Sequence, residues 1–391
     1  HEILKVQLMR GEKEQDYLTH IWNLTSMMDH PIIAKEEDQD EACYRQFYEE
    51  AISLCRQKRF HEVLEKCRYT SLDDEEEYSI DVIQPEKIEF KQNSYEDGEN
   101  SIISFPEFLL LVLDVCTGGE QPASHYQPDK LIEKFDALKT YFTAGEFYEK
   151  MLYYRLLLDY YTIRRDIKDG QGNYSLILKG PKDDSDKLKQ YQSMLYVSTE
   201  AFYNWLKPYL RKLEQDELHS CAEMLAFLKK EDNERHSILP ARKDLSYKAS
   251  GNIRYWFWRL DYYLWEQRST FFNEEEQKIV EHYVFRRNRS IEHLHPQDES
   301  HNEEWEEEAV HSFGNLAMIS QSFNSQQSND HIQIKFARIH EQISNKSLQS
   351  IKMFLMCKLA DFNYLNWTMK LTKEHENEMI EFLERSFYIS D

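Results

Sequence analysis

The chain has 391 residues, 41% apolar and 30% charged, long enough for two or three domains and too apolar to be disordered. Its formal net charge of −23 excludes the broad basic surface that coats nucleic acid non-specifically, though not a local basic groove. Ten glycines and nine prolines are few breakers, which predicts a mainly α fold. Cys43, Cys55, Cys67, Cys116, Cys221 and Cys357 form no C-x-x-C pair. They read as buried thiols in a reducing, cytoplasmic setting and not as metal ligands or a disulfide framework.

In chain order, 1–28 reads as two short helices joined by a polar turn, and 40–69 as a longer amphipathic helix or pair. Residues 72–101 carry acidic runs and read as a mobile loop. Ser104-Phe105-Pro106-Glu107 reads as a helix start with Pro106 in the first turn. The apolar run behind it, Phe108 to Val115, is broken by Asp114 and is too short to span a bilayer. No leader peptide is visible, and the start at His1 leaves room for an upstream part. Residues 131–166 read as aromatic-rich helices, 169–173 as a turn, 174–178 as a short strand and 193–235 as a helical pair. The run from Arg254 to Trp265 could offer a base-stacking platform, but its aromatics cover all sides of a helix, as core residues do. Composition shifts after Phe272, which sets the predicted domains as 1–272, helical, and 273–391. In the latter, 279–291 runs from helix into strand, 332–343 and 347–359 are helical, and Thr372 caps a last helix through Ser386.

The chemistry-bearing stretch is 289–329. Glu292 and His293 are adjacent on a predicted strand, so their side chains leave on opposite faces, and Pro296 ends the strand. Asn315 follows in Gly314-Asn315-Leu316, and Asn324 comes nine residues later. A base, a carboxylate and amide oxygens suit one-metal phosphodiester cleavage, because a hard divalent ion takes oxygen ligands and keeps several waters. Taken alone, a His-x-Pro is usually a surface turn. Between the two predicted strands, Asp298 to Glu308 holds seven acids, which could repel DNA, gate the site or simply form a solvated loop. From Glu276 onward there are 12 Lys and Arg against 19 Asp and Glu. Arg286, Arg287, Arg289, Lys335 and Arg338 could still make a local phosphate-binding rim.

The order Glu-His-x-x-Pro, Gly-Asn-Leu and a later Asn resembles the HNH (ββα-metal, His-Me finger) endonucleases. More narrowly, Ile291-Glu292-His293-Leu294-His295-Pro296-Gln297, with Gly314 to Ser320 and Asn324 to Asn329, is similar to the C-terminal nuclease domain of GmrSD-type, modification-dependent restriction proteins. Stretches upstream, such as Ser104 to Leu110, resemble their helical middle. The resemblance implies a multi-helical body followed by a small ββα-metal nuclease domain that cuts DNA, modified or not, with Mg²⁺ or Mn²⁺. It implies His293 as general base, Glu292 and Asn324 as metal ligands, and Asn315 fixing the His293 ring. His295, His311 and Asn329 would support the site or contact DNA. Where these nucleases often have Asp before the histidine, Glu292 is one methylene longer and leaves the metal position open. Full-length relatives carry a nucleotide-binding domain whose Asp-Gly-Gln-Gln-Arg-like motif is not found here, so a separate chain or a missing part would supply it. The alternative is a non-catalytic scaffold that binds such a partner.

Overall fold

The computed structural model describes residues 1–33, 40–67, 98–167, 174–183, 185–198, 200–286, 289–297, 305–320 and 332–388, with no side-chain description for Arg289 and Ser320. The chain forms two compact units. The first is His1–Ser185 with Ala201–Met224, and the second is Asp186–Glu200 with Leu225–Asp391. This division falls earlier in the chain than the compositional shift after Phe272.

The first unit holds α1 (Glu2–Met9), α2 (Gln15–Ser26), α3 (Glu41–Arg56), α4 (Phe60–Lys66), β1 (Gly98–Ser101), α5 (Phe105–Cys116), α6 (Leu131–Leu138), α7 (Ala144–Tyr161), β2 (Arg164–Ile167) and β3 (Tyr174–Ile177). The second unit opens at Asp186, within the first turn of α8 (Ser185–Val197). The chain then returns to the first with α9 (Phe202–Glu214), and the division falls within α10 (Cys221–Arg235). α5 starts as expected, with Pro106 in the first turn, and the Glu107 carboxylate accepts from the Ser104 backbone N–H at 2.7 Å. α7 starts on a Thr143/Glu146 capping box and is buried along nearly its whole length, with α2, α3, α5 and α9 packed around it. Charge inside this packing is internally matched. Asp159 pairs with Arg155 at 2.9 Å and with Arg164, and it accepts from the Ile32 backbone N–H at 2.7 Å. Arg155 in turn donates to the carbonyls of Thr25 and Met27. β1, β2 and β3 form an antiparallel sheet in that order.

In the second unit, α11 (Ile253–Glu266) is the buried centre, packed against α16 (Ile351–Leu359) and α17 (Met369–Arg385). Its aromatics are core, as their distribution around the helix predicts. Buried Arg259 pairs with Asp232 at 3.1 Å and donates to Ser386 Oγ at 3.0 Å. After α12 (Arg268–Phe271) and α13 (Glu274–Val280) comes the hairpin of β4 (Arg289–His293) and β5 (Leu316–Ser320). These strands pair antiparallel, with Glu292 opposite Ala317 and His293 opposite Leu316. α14 (Glu307–Val310) lies between them in sequence, and α15 (Ile332–Ser344) follows. Ile332, Phe336 and Ile339 of α15 join Leu294, Ala317 and Ile319 in one apolar cluster with Met353 and Met356 of α16.

Three expectations are corrected. The last helix is capped by Thr368, whose hydroxyl accepts from Leu371 N at 3.3 Å, while Thr372 lies buried one turn further in. Cys43 is exposed and Cys116 only half-buried, so the thiols are not all interior. The acidic loop read over 72–101 ends in strand β1, and its residues 72–97 lie outside the described set. Among the described residues no helix is long and apolar enough to cross a membrane.

Candidate active site

The hairpin presents Glu292 and His293 on opposite faces, as strand geometry requires. Toward α15, Glu292 is buried and ion-paired with the ammonium of Lys335, which also donates to the His293 carbonyl at 2.6 Å. Toward the other face, His293 Nε2 lies 3.1 Å from His311 Nδ1, and Gln297 Nε2 lies 2.9 Å from His293 Nδ1. With the Gln297 amide donating to Nδ1, Nε2 carries the proton and donates to His311. Tyr247 closes the group. Its ring meets His293 edge-on at 4.5 Å and stacks over His311 at 5.8 Å, and its backbone N–H donates to the His311 carbonyl at 3.0 Å.

Burial, helped by nearby His311 and Lys335, pushes the His293 pKa down to about 3. The imidazole is therefore neutral at physiological pH, the form a proton acceptor needs. His311 is lowered as well, first by burial and then by Lys248.

Asn315 does not hold the His293 ring. Its Oδ1 accepts from His295 N at 2.8 Å and Trp367 Nε1 at 3.2 Å, and its Nδ2 donates to the carbonyls of His295 (2.9 Å) and Val310 (2.8 Å). Two donors and two acceptances exhaust the amide, so Asn315 braces the backbone just after His293, and Gln297 and His311 hold the ring. The brace is itself held tightly. Gly314 lies so close to α17 that an added Cβ would fall 2.9 Å from Glu376 Cβ and closer still to the Thr372 carbonyl, so only glycine fits. Fully buried Lys352 donates to the carbonyls of Phe313 at 2.9 Å and Leu316 at 2.6 Å. Its own charge is disfavoured by burial, which brings its pKa down to about 7.

His295 is stacked on Trp305 at 3.9 Å, nearly parallel, and is buried. That placement makes it packing and not an exposed DNA contact. Lys335 is likewise withdrawn from the expected basic rim, because it is buried against Glu292. Arg286 is exposed and Arg338 half-buried. Arg289 begins β4, opposite Ser320. Arg287, Asn324 and Asn329 lie outside the described residues. Sequence reasoning gave no role to Tyr247, Trp367 or Lys352, which lie far from the motif in sequence, or to Gln297, which lies within it.

The expected divalent ion meets a physical obstacle. Among the described residues no three His, Cys, Asp or Glu side chains converge as a metal set. The one described candidate ligand, Glu292, already carries a cation in Lys335. A divalent ion beside that buried ammonium would be repelled, so Glu292 could take one only with Lys335 turned away; Asn324, the other expected ligand, lies outside the described residues.

The site is thus a strand hairpin followed by a helix, with a buried neutral histidine flanked by a second histidine. Residues 230–382 match the family described as GmrSD restriction endonucleases, C-terminal domain. The match spans the hairpin, His293, His311 and Lys335 and covers less than half of the chain. No curated protein and no solved structure matches the chain.

Proposed function

We propose that this chain is the helical and nuclease portion of a restriction protein and that it hydrolyses DNA phosphodiesters at His293. The observation that carries the reading is the buried, neutral His293 on a strand within the stretch similar to a restriction-endonuclease domain. In this reading the hairpin, β4 and β5 with α15, serves as the HNH finger. As the Gln297 amide turns away, His293 takes the proton from the attacking water at Nδ1 while the water oxygen bonds to phosphorus and the P–O bond to the leaving strand breaks; the approaching phosphodiester, an anion, raises the affinity of the ring for that proton. His311, bonded to His293, steadies the imidazolium and can pass the proton outward. Asn315 fixes the strand end so that the ring meets the phosphate in one orientation. The Mg²⁺ or Mn²⁺ that the resemblance implies on Glu292 and Asn324 would require Lys335 to leave Glu292.

Plasmid nicking by the full chain, with Mn²⁺ and with EDTA, tests the reading. His293→Ala is expected to lower the rate by about 10²–10⁴-fold, the usual contribution of a general base. Equal rates in wild type and variant would remove the proposed base.

A second reading, a non-catalytic scaffold for a nucleotide-hydrolysing partner, is favoured by the Glu292–Lys335 pair, which neutralises the carboxylate a nuclease would need. It expects no cutting by the chain, by the partner or by their mixture.

A further inference from the structure

The first unit holds a cavity of about 730 Å³ that the proposed chemistry does not use. Its size lies within the roughly 300–1,000 Å³ range of small-molecule sites. Rings from Phe60, Tyr141, Phe142 and Tyr153 line it, a wall suited to a flat apolar face. α7 adds Glu146 and Glu149 to the lining, three residues apart and so on one helix face.

The charges there are unevenly matched. Arg56 is taken up by Asp216 at 2.9 Å and by the Leu213 carbonyl at 3.3 Å, and Lys150 is paired with Glu214. Among the described residues neither Glu146 nor Glu149 has an ion pair. Glu146 uses only Oε2 in the cap of α7, which leaves Oε1 for another donor. Burial holds the Glu149 carboxyl above its usual range. His61 and Lys58 oppose that rise, and Glu146 adds to it. The third lining cation, Lys58, faces both carboxylates and can balance only one of them, so with Arg56 and Lys150 already paired an anionic ligand would still meet a net negative lining. A plain hydrocarbon would strip water from the carboxylates with nothing in return. A cation or an N–H donor satisfies both.

We propose that this cavity binds a flat aromatic ligand bearing an amino or ammonium group, the ring lying on the aromatic wall and the nitrogen donating to Glu146 and Glu149. The inference is independent of the nuclease reading, because none of its residues belongs to the second unit.

Isothermal titration of the full chain with benzamidine, cytidine, adenosine, uridine and benzoate tests it. Saturable heat is expected from benzamidine, or from cytidine and adenosine, and the arm that responds separates a charged nitrogen from a neutral exocyclic amine. Uridine and benzoate should bind weakly or not at all. E149Q and E146Q should each weaken the responding ligand about tenfold, the scale of one charge-assisted hydrogen bond. The Glu146 side chain is exposed, so E146Q keeps the fold, which circular dichroism verifies. His293→Ala should leave the titration unchanged. The proposal is overturned if no amine-bearing probe gives saturable heat up to millimolar concentration. It is equally overturned if both glutamine variants bind as wild type, or if benzoate or uridine binds as tightly as the amines.

Discussion

The side-chain amide of Asn315 makes four hydrogen bonds, three of them to main chain, and all are buried. Truncation would leave the His295 N–H and the His295 and Val310 carbonyls without this partner in a dry interior, at about 1–3 kcal/mol per abandoned group. Asn315→Ala is therefore expected to destabilise the second unit by about 3 kcal/mol, read as a fall in melting temperature, with nicking lost only as far as the folded fraction is lost. Should the variant melt like wild type yet fail to nick, the amide would act on the chemistry and not on the scaffold. His293 differs in kind. Its ring contributes a neutral imidazole whose protonation is disfavoured down to about pH 3. The sequence motif picks out both residues but cannot separate these roles, because spacing along the chain does not show that the turn before β5 aims the Asn315 amide at backbone and not at the His293 ring.

At the scale of elements, α15 brings Lys335 onto Glu292 of β4. The reason is its register: Ile332, Lys335, Phe336 and Ile339 fall at i, i+3, i+4 and i+7, the stripe that faces a core. That spacing was visible in the sequence, and only the charge of the lysine suggested an outward position. Lys352 is a similar case, a lysine inside the apolar run of α16 that is held in the core by the carbonyls of Phe313, in the turn before β5, and of Leu316, its first residue. The hairpin and the aromatic α11 were legible because strand and core patterns agree locally with the packing. The start of α17 was misplaced by one turn because both Thr368 and Thr372 can cap, and only tertiary contact with Gly314 buries the second. The Glu292–Lys335 pair also makes a prediction. Lys335→Met takes from the buried Glu292 carboxylate its cation, at about 3–5 kcal/mol, so the variant should melt lower than wild type in EDTA. If Glu292 can hold a divalent ion, Mn²⁺ should raise the variant's melting temperature more than that of wild type. Equal Mn²⁺ shifts in the two proteins would remove Glu292 from any metal site.

For the whole molecule, 71 acidic residues against 48 Lys and Arg set how DNA could be engaged at all. A broad basic face would release many counterions and give a steep salt dependence, with log K falling by about 0.9 per phosphate neutralised. Burial of Lys335 leaves Arg286, Arg287, Arg289 and Arg338 as the rim expected from sequence. Four phosphate contacts correspond to a slope of about −3.6. Repulsion between DNA and the net acidic chain is screened as salt rises, which flattens the observed slope further. Fluorescence anisotropy of a labelled duplex with the full chain, over a salt series, is expected to give a slope no steeper than about −4. Charge reversal at Arg286, which is exposed, should weaken binding and lower the magnitude of the slope by about 1. A slope near −8 would mean about twice as many phosphate contacts as these arginines can make, and the DNA would then be held by other residues.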